Sequence, residues 1–346
     1  MVLPLAALPV LMRLQPPAAP GQDARQRGSA IMLQGVDREV SLTLGDRRIL
    51  REGRLRWLRA LAWMAALFFI IPLSFGPAME GVRSLLPEGD DRWIFATRLV
   101  SALIALGAYA LLVRLGEARS AREIALRPGI PETLAGLVLG IAMFGAVMGI
   151  MSTFSLYEIT FTGPAPIWRA AGLSIGAGVV EEVLVRGVML RLLWRAFGPI
   201  PAFALSAAAF GAGHLPNPGA TLFAAICIAI EAGIMLGAFY VLTGRLWVSI
   251  GVHTGWNFAQ GYLFGAAVSG GDFGPALARS TADHGVPEWL TGGAFGPEAS
   301  LPALLVCGSV GGVALWKAWR EGRFSDGAGA PPLNRERAAT AEAATV

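Results

Sequence analysis

GAGVVEEVLVRGVML, residues 176–190, decides how this chain is read. Apolar residues surround Glu181, Glu182 and Arg186, so three charges fall within an otherwise membrane-like helix. A charged side chain at the centre of a membrane helix costs about 2.5–3.5 kcal/mol on insertion scales. The rest of the chain makes a bilayer its natural solvent: of 346 residues 54% are hydrophobic and 15% charged, against about 25% charged in soluble domains. An ordinary soluble domain is excluded.

Apolar windows of the length that crosses a hydrocarbon core of about 30 Å recur along the sequence. They predict an all-α polytopic membrane protein with about eight transmembrane helices, at 60–79, 93–113, 133–154, 170–194, 200–214, 220–242, 247–264 and 301–316. The fifth is short and is expected to be tilted, bent or buried within protein. The organisation that follows is a largely disordered cytoplasmic segment over 1–58, N-terminal membrane helices over 59–166 and a membrane core over 167–266. An external loop over 267–300, a last span over 301–320 and a disordered cytoplasmic tail over 321–346 complete it. The apolar run at the N-terminus, about ten residues, is too short to span.

Loop charges set the orientation. Arg47, Arg48, Arg51, Arg54, Arg56 and Arg59 precede the first span, and Arg114, Arg119, Arg122 and Arg127 follow the second. Arg195, Arg245, Lys317, Arg320 and Arg323 mark later turns on that side, whereas the loops near Glu80–Asp91 and 270–300 are acidic. By the positive-inside rule both termini face the cytoplasm. The net charge of +4 therefore reports topology, and no nucleic-acid partner is expected. Cys227 and Cys307, without CxxC spacing, read as reduced buried residues.

On a helix Glu182 and Arg186 are neighbours four apart in the favourable acid-first order. Glu181 points about 100° away, toward whatever lies across the bundle. Two of the three histidines lie in the spans: His214 ends FGAGH, four residues after Phe210, and His253 opens HTGWN, four before Asn257. Counting about 1.5 Å per residue from the arginine-marked boundaries places Glu181 and His214 roughly 21 Å deep, Asn257 roughly 18 Å and His253 roughly 12 Å. Glu231, in CIAIEAGIML, comes out at roughly 20 Å by the same rise. It either hydrogen-bonds a histidine or is a neutral acid satisfied by another span. Separate spans thus bring acids, imidazoles and an amide into one layer. Gln260 reads as a packing amide, and Arg98 as a side chain that snorkels to the interface.

EEVLVR, FGAGH and HTGWN, in this order on successive apolar segments, resemble the EExxxR, FxxxH and HxxxN motifs of the CAAX-protease and bacteriocin-processing (CPBP, or Abi) family of intramembrane endopeptidases. The resemblance covers roughly residues 170–264, with LTGRLWVSIGVHTGWNFAQG, 242–261, matching closely. It implies a peptide hydrolase with a catalytic set of Glu181, His214, His253 and Asn257. Glu181 would be the base, His214 would hold the same water, and His253 with Asn257 would donate to the oxyanion. Glu182, Arg186 and Phe210 would support them, and Glu231, an acid outside the three motifs, is a further supporting candidate by its depth. Gly178, Gly187, Gly211 and Gly213 would allow close helix approach.

No cofactor is required by this chemistry, although Glu181, His214 and His253 could instead hold a zinc ion and its water. The partners expected are a peptide or membrane-protein substrate and the lipid bilayer. The Ala-, Gly- and Arg-rich composition points to a bacterial plasma membrane. Two other classes compete: a non-catalytic immunity or scaffold protein, and an ion-coupled transporter, which would want the internal repeat that this sequence lacks.

Overall fold

The computed structural model describes residues 42–85 and 90–324. Of the disorder expected over 1–58 and 321–346, the parts at 1–41 and 325–346 lie outside the described residues, whereas 42–58 is ordered, with Leu42, Leu44 and Leu50 buried, and 321–324 continues as a turn. The fold is almost entirely helical. Its elements are α1 (Arg56–Leu73), α2 (Gly76–Arg83), α3 (Asp91–Glu117) and α4 (Gly129–Thr153). Next come β1 (Tyr157–Phe161), α5 (Trp168–Glu182), α6 (Arg191–Phe197) and α7 (Pro199–Gly213). Then follow α8 (Leu222–Ile228), α9 (Gly237–Thr243), α10 (Trp247–Phe258), β2 (Ala278–Ala282), α11 (Glu288–Thr291) and α12 (Leu301–Arg320). Helical turns continue from α5 into α6 and from α8 into α9.

Among the described residues five helices are long and apolar enough to cross a membrane: α1, α3, α4, the continuous Leu222–Thr243 helix, and α12. The other three expected spans are helical as well. They fall short of that standard because 168–197 carries charges within it, α7 has only 15 residues and α10 only 12. These are the motif-bearing segments, and they rely on neighbours for cover. Leu222–Thr243 buries 61% of its apolar window against 17% for α1, so the former is central and the latter faces outward.

Glycines fix the tightest contact. Gly136 and Gly140 of α4 face Gly251 and Gly255 of α10, and a Cβ at any of the four would strike the backbone of the opposite helix. This is the small-xxx-small arrangement that lets membrane helices meet backbone to backbone, here used twice on one seam. Gly178 of α5 packs likewise on Thr254 of α10, and Gly211 of α7 on the carbonyl of Ala225. Gly187 meets the side chains of Tyr109 and Leu246, and Gly213 has open space around it, so the close approach expected at Gly213 is absent.

The arginine-bearing ends gather on one side. Arg191 of α6 is fully buried and holds both Glu117 oxygens at 2.7 and 2.9 Å. Arg119 bonds Glu117 at 2.7 Å and both oxygens of Glu123, whose Oε1 also accepts from Tyr109. Burial alone would raise the Glu123 carboxyl, but the hydrogen bond and charge of Arg119 hold it below the ordinary carboxylate range. Residues 42–50 are bound into the same end: Leu42, Leu44 and Leu50 are buried, and Arg195 donates to the Gly45 and Leu50 carbonyls and to Glu52. Arg245 pairs with Glu132 across the base of α4 and α10.

The segment after α10 does more than tether two spans. β1 and β2 pair antiparallel from Tyr157↔Ala282 to Phe161↔Ala278. Gly270 N–H then donates to the Phe295 carbonyl at 2.7 Å, and residues 295–300 are buried. Ser300 caps α12 by accepting from Ala303 N–H at 3.3 Å, with Pro302 in the first turn.

Two consequences are testable. Gly251→Leu should destabilise by about 1–3 kcal/mol or more, the range for overpacking, while Gly213→Ala should leave thermal unfolding in detergent unchanged. Arg191→Leu takes two hydrogen bonds and a buried counter-charge from Glu117 and should cost up to about 3–5 kcal/mol, read as a lowered unfolding midpoint.

Candidate active site

α5 changes its winding as it enters the site. The chain is α-helical to Glu182, widens to π turns over Val183–Leu190 and returns to α-helix at Arg191. Two more π segments occur among the described residues, Ala229–Leu236 around Glu231 and Ala259–Leu263 directly after α10. Such widened turns re-aim the side chains that follow, and they concentrate at functional sites.

Glu182 is 0% exposed, and its Oε1 accepts from Arg186 Nη1 at 2.7 Å and from His253 Nδ1 at 2.9 Å. An ionised carboxylate only accepts, so the proton of this contact belongs to Nδ1. The other ring nitrogen, Nε2, then faces Glu181 Oε2 at 3.9 Å, too far for a direct hydrogen bond. Arg186 is also buried. Its second Nη donates to the Ala232 carbonyl, which ties α5 to the central helix.

Phe210 is the wedge among these groups. The Arg186 guanidinium lies 5.0 Å from its ring centroid, the His214 ring 4.8 Å edge-on, and the His253 ring 6.5 Å away at 90°. The Phe210 carbonyl accepts from His214 Nδ1 at 2.8 Å, which places a proton on Nδ1.

Glu181, His214, Glu231, His253 and Asn257 all line one cavity of about 560 Å³. Five positions predicted to share a layer therefore share a wall. Glu181, its side chain 36% exposed, is the open acid of the adjacent pair, whereas Glu182 is the closed one. Glu231 is 4% exposed, and its Oε1 has no hydrogen-bond partner. It bonds neither histidine. Gln260 donates to the Ala267 carbonyl at 2.6 Å and so holds the loop after α10, in keeping with a packing amide.

Three residues of the wall escaped sequence reasoning. Arg98, read as a snorkelling cation, reaches the cavity with its carbon chain laid on Gly176. Glu298 and Ser269 come from the stretch read as an external loop. Glu298 is 3% exposed, and its Oε1 accepts from Ser269 N–H at 2.6 Å and Ser269 Oγ at 2.7 Å. A signal did exist: the Ser-x-Pro start of α12 fixes Glu298 just outside a membrane helix. Among the described residues no three His, Cys, Asp or Glu side chains converge to hold a metal ion. Glu181, His214 and His253 border the cavity without forming such a set.

Residues 163–259 match the family described as Type II CAAX prenyl endopeptidase Rce1-like, consistent with the CPBP resemblance. The match takes in all three motifs and omits α1 to α4, Glu298 and α12. No curated protein and no solved structure matches the chain. The chain is an integral membrane protein with a CAAX-protease-like domain, and the family supports intramembrane endopeptidase activity in general.

The two adjacent glutamates should separate cleanly in stability. Glu182→Ala abandons buried Arg186 and should cost about 3–5 kcal/mol. Glu181→Ala removes a partly solvated group and should change unfolding in detergent by less than about 1 kcal/mol.

Proposed function

We propose that this chain hydrolyses a peptide bond in a membrane-associated protein or peptide, with Glu181 as general base. The observation that carries this reading is the alignment of Glu182, His253 and Glu181. A buried carboxylate fixes one imidazole nitrogen, and the other faces a second carboxylate across 3.9 Å of cavity. In this reading a water beside the pair, in the cavity, lies within reach of Glu181 and of the substrate carbonyl.

In the proposed reaction the water oxygen attacks the carbonyl carbon while its proton passes to Glu181. His214 Nε2 accepts the second water hydrogen and so orients the lone pair. His253, protonated between two carboxylates, donates from Nε2 to the developing oxyanion, and the Asn257 amide donates beside it. Donors fixed in advance where charge develops are typically worth about 10²–10³ in rate each. Collapse of the tetrahedral intermediate breaks the C–N bond, and Glu181 returns its proton to the leaving amine. Arg186 and Phe210 serve by holding Glu182, His214 and His253 in place.

This chemistry needs no cofactor. Both termini lie in the cytoplasm of a bacterial cell in this reading, which the gathered arginine-rich ends support. The apolar character of much of the wall, including Phe75, Met79, Leu173 and Trp256, favours a substrate that is itself embedded in the bilayer or lipid-linked.

Mass spectrometry of membrane-protein termini tests the proposal in cells making equal amounts of wild type or Glu181→Gln. Termini unique to wild type are expected, with a loss of at least about 10²-fold in the variant, the scale of general-base catalysis. They should persist when 1,10-phenanthroline is added to isolated membranes. Identical termini in the two strains would defeat the protease reading, and loss reversed by zinc would move water activation to a metal.

A further inference from the structure

The proposed mechanism leaves two carboxylates of the cavity without a task. Glu231 projects from the π segment of the central helix and Glu298 from the stretch leading into α12. Both are more than nine-tenths buried, at 4% and 3% exposure, and both line the same cavity. Neither has an arginine or lysine within ion-pair distance among the described residues. Glu298 is held by Ser269, and Glu231 Oε1 is bonded to nothing.

Burying carboxylates together without a counter-charge costs several kcal/mol per ion even after relaxation. Elsewhere this chain avoids the expense: every buried carboxylate oxygen of Glu117 and Glu123 has a donor. In the cavity it does not, and the cavity is where a partner from outside can arrive. Intramembrane acids that face such a space mark the route of a ligand.

We infer that Glu231 and Glu298 form a subsite for a positively charged nitrogen of the peptide substrate, the ammonium or guanidinium of a Lys or Arg side chain. The inference rests on the endopeptidase reading and deepens it. Glu298 lines the same cavity as His214, so the basic residue binds beside the proposed catalytic wall. Glu298 lies outside residues 163–259, which makes this a preference of the present chain, set by the segment that folds over its membrane core.

The test uses the full chain in lipid nanodiscs and a series of fluorescent, acyl-anchored octapeptides. Each carries a single Lys, moved through the sequence, and has a counterpart with acetyl-lysine at that position. A separate pair differs only in a free or acetylated α-amine. Glu181→Gln protein is used so that binding is read without turnover. At one position the Lys peptide should bind at least about tenfold more tightly than its acetylated counterpart, the worth of one hydrogen bond between charged groups. Glu231→Gln and Glu298→Gln, both near-isosteric, should each reduce that ratio toward one.

A ratio within twofold of one at every position overturns the subsite with no variant needed. So does a preference that survives both substitutions. A preference confined to the free α-amine would reassign the pocket from a side chain to a chain terminus. Failure of the protease reading registers separately, as unchanged termini in the Glu181→Gln cells.

Discussion

A single oxygen, Glu182 Oε1, organises this site. It accepts from Arg186 one turn along its own helix and from His253 on α10. Arg186 in turn covers Phe210, whose carbonyl fixes His214. The three motifs are therefore one mechanical unit. A buried carboxylate with one cation would be a poor investment, since a dry ion pair rarely offsets its desolvation. The further bond to His253 gives it a use, for it sets the ring proton on Nδ1 and points Nε2 into the cavity.

That bond requires α10 to sit close to α5, and the backbone makes this feasible. Gly178 admits Thr254, while Gly136, Gly140, Gly251 and Gly255 let α4 press α10 from the other side. In lipid there is little hydrophobic drive between helices, so close packing and polar contacts must hold them. α10 is gripped between two glycine seams. His253 and Asn257 lie on a helix of only 12 residues, and the seams make it rigid enough to aim them.

The fold class and the motif residues were legible because both rest on local patterns. Apolar runs of spanning length gave the long membrane helices, though not α2 as a separate helix nor α11, and spacings of four gave Glu182–Arg186, Phe210–His214 and His253–Asn257. Similar depth along separate spans put Glu181, His214, Glu231, His253 and Asn257 in one layer, and all five line one cavity. What sequence could not convey was pairing between distant segments. The Glu182–His253 bond joins residues 71 apart, and no periodicity encodes it. Glu298 was hidden for another reason: an acid in a polar, glycine-rich loop looks solvated until the loop is seen to fold back beneath Phe295. Gly213 misled in the opposite sense, since a glycine can mark a close approach and here marks none.

Burial alone does not distinguish the polar groups that build this molecule from those that serve it. Arg191, Glu117 and Glu123 are as buried as anything in the cavity, yet each acid oxygen there is matched by a donor, and the cluster joins α3, α6 and residues 42–50 into a closed end. The acids of the cavity wall are left open: Glu231 Oε1 has no partner, and Glu181 faces free volume. A closed network can only lose stability when something is added to it. An open one has bonds still to make. Among the acids, satisfaction rather than depth divides the closed end from the cavity, and the chemistry proposed for this chain lies along the wall from Glu181 to Glu298.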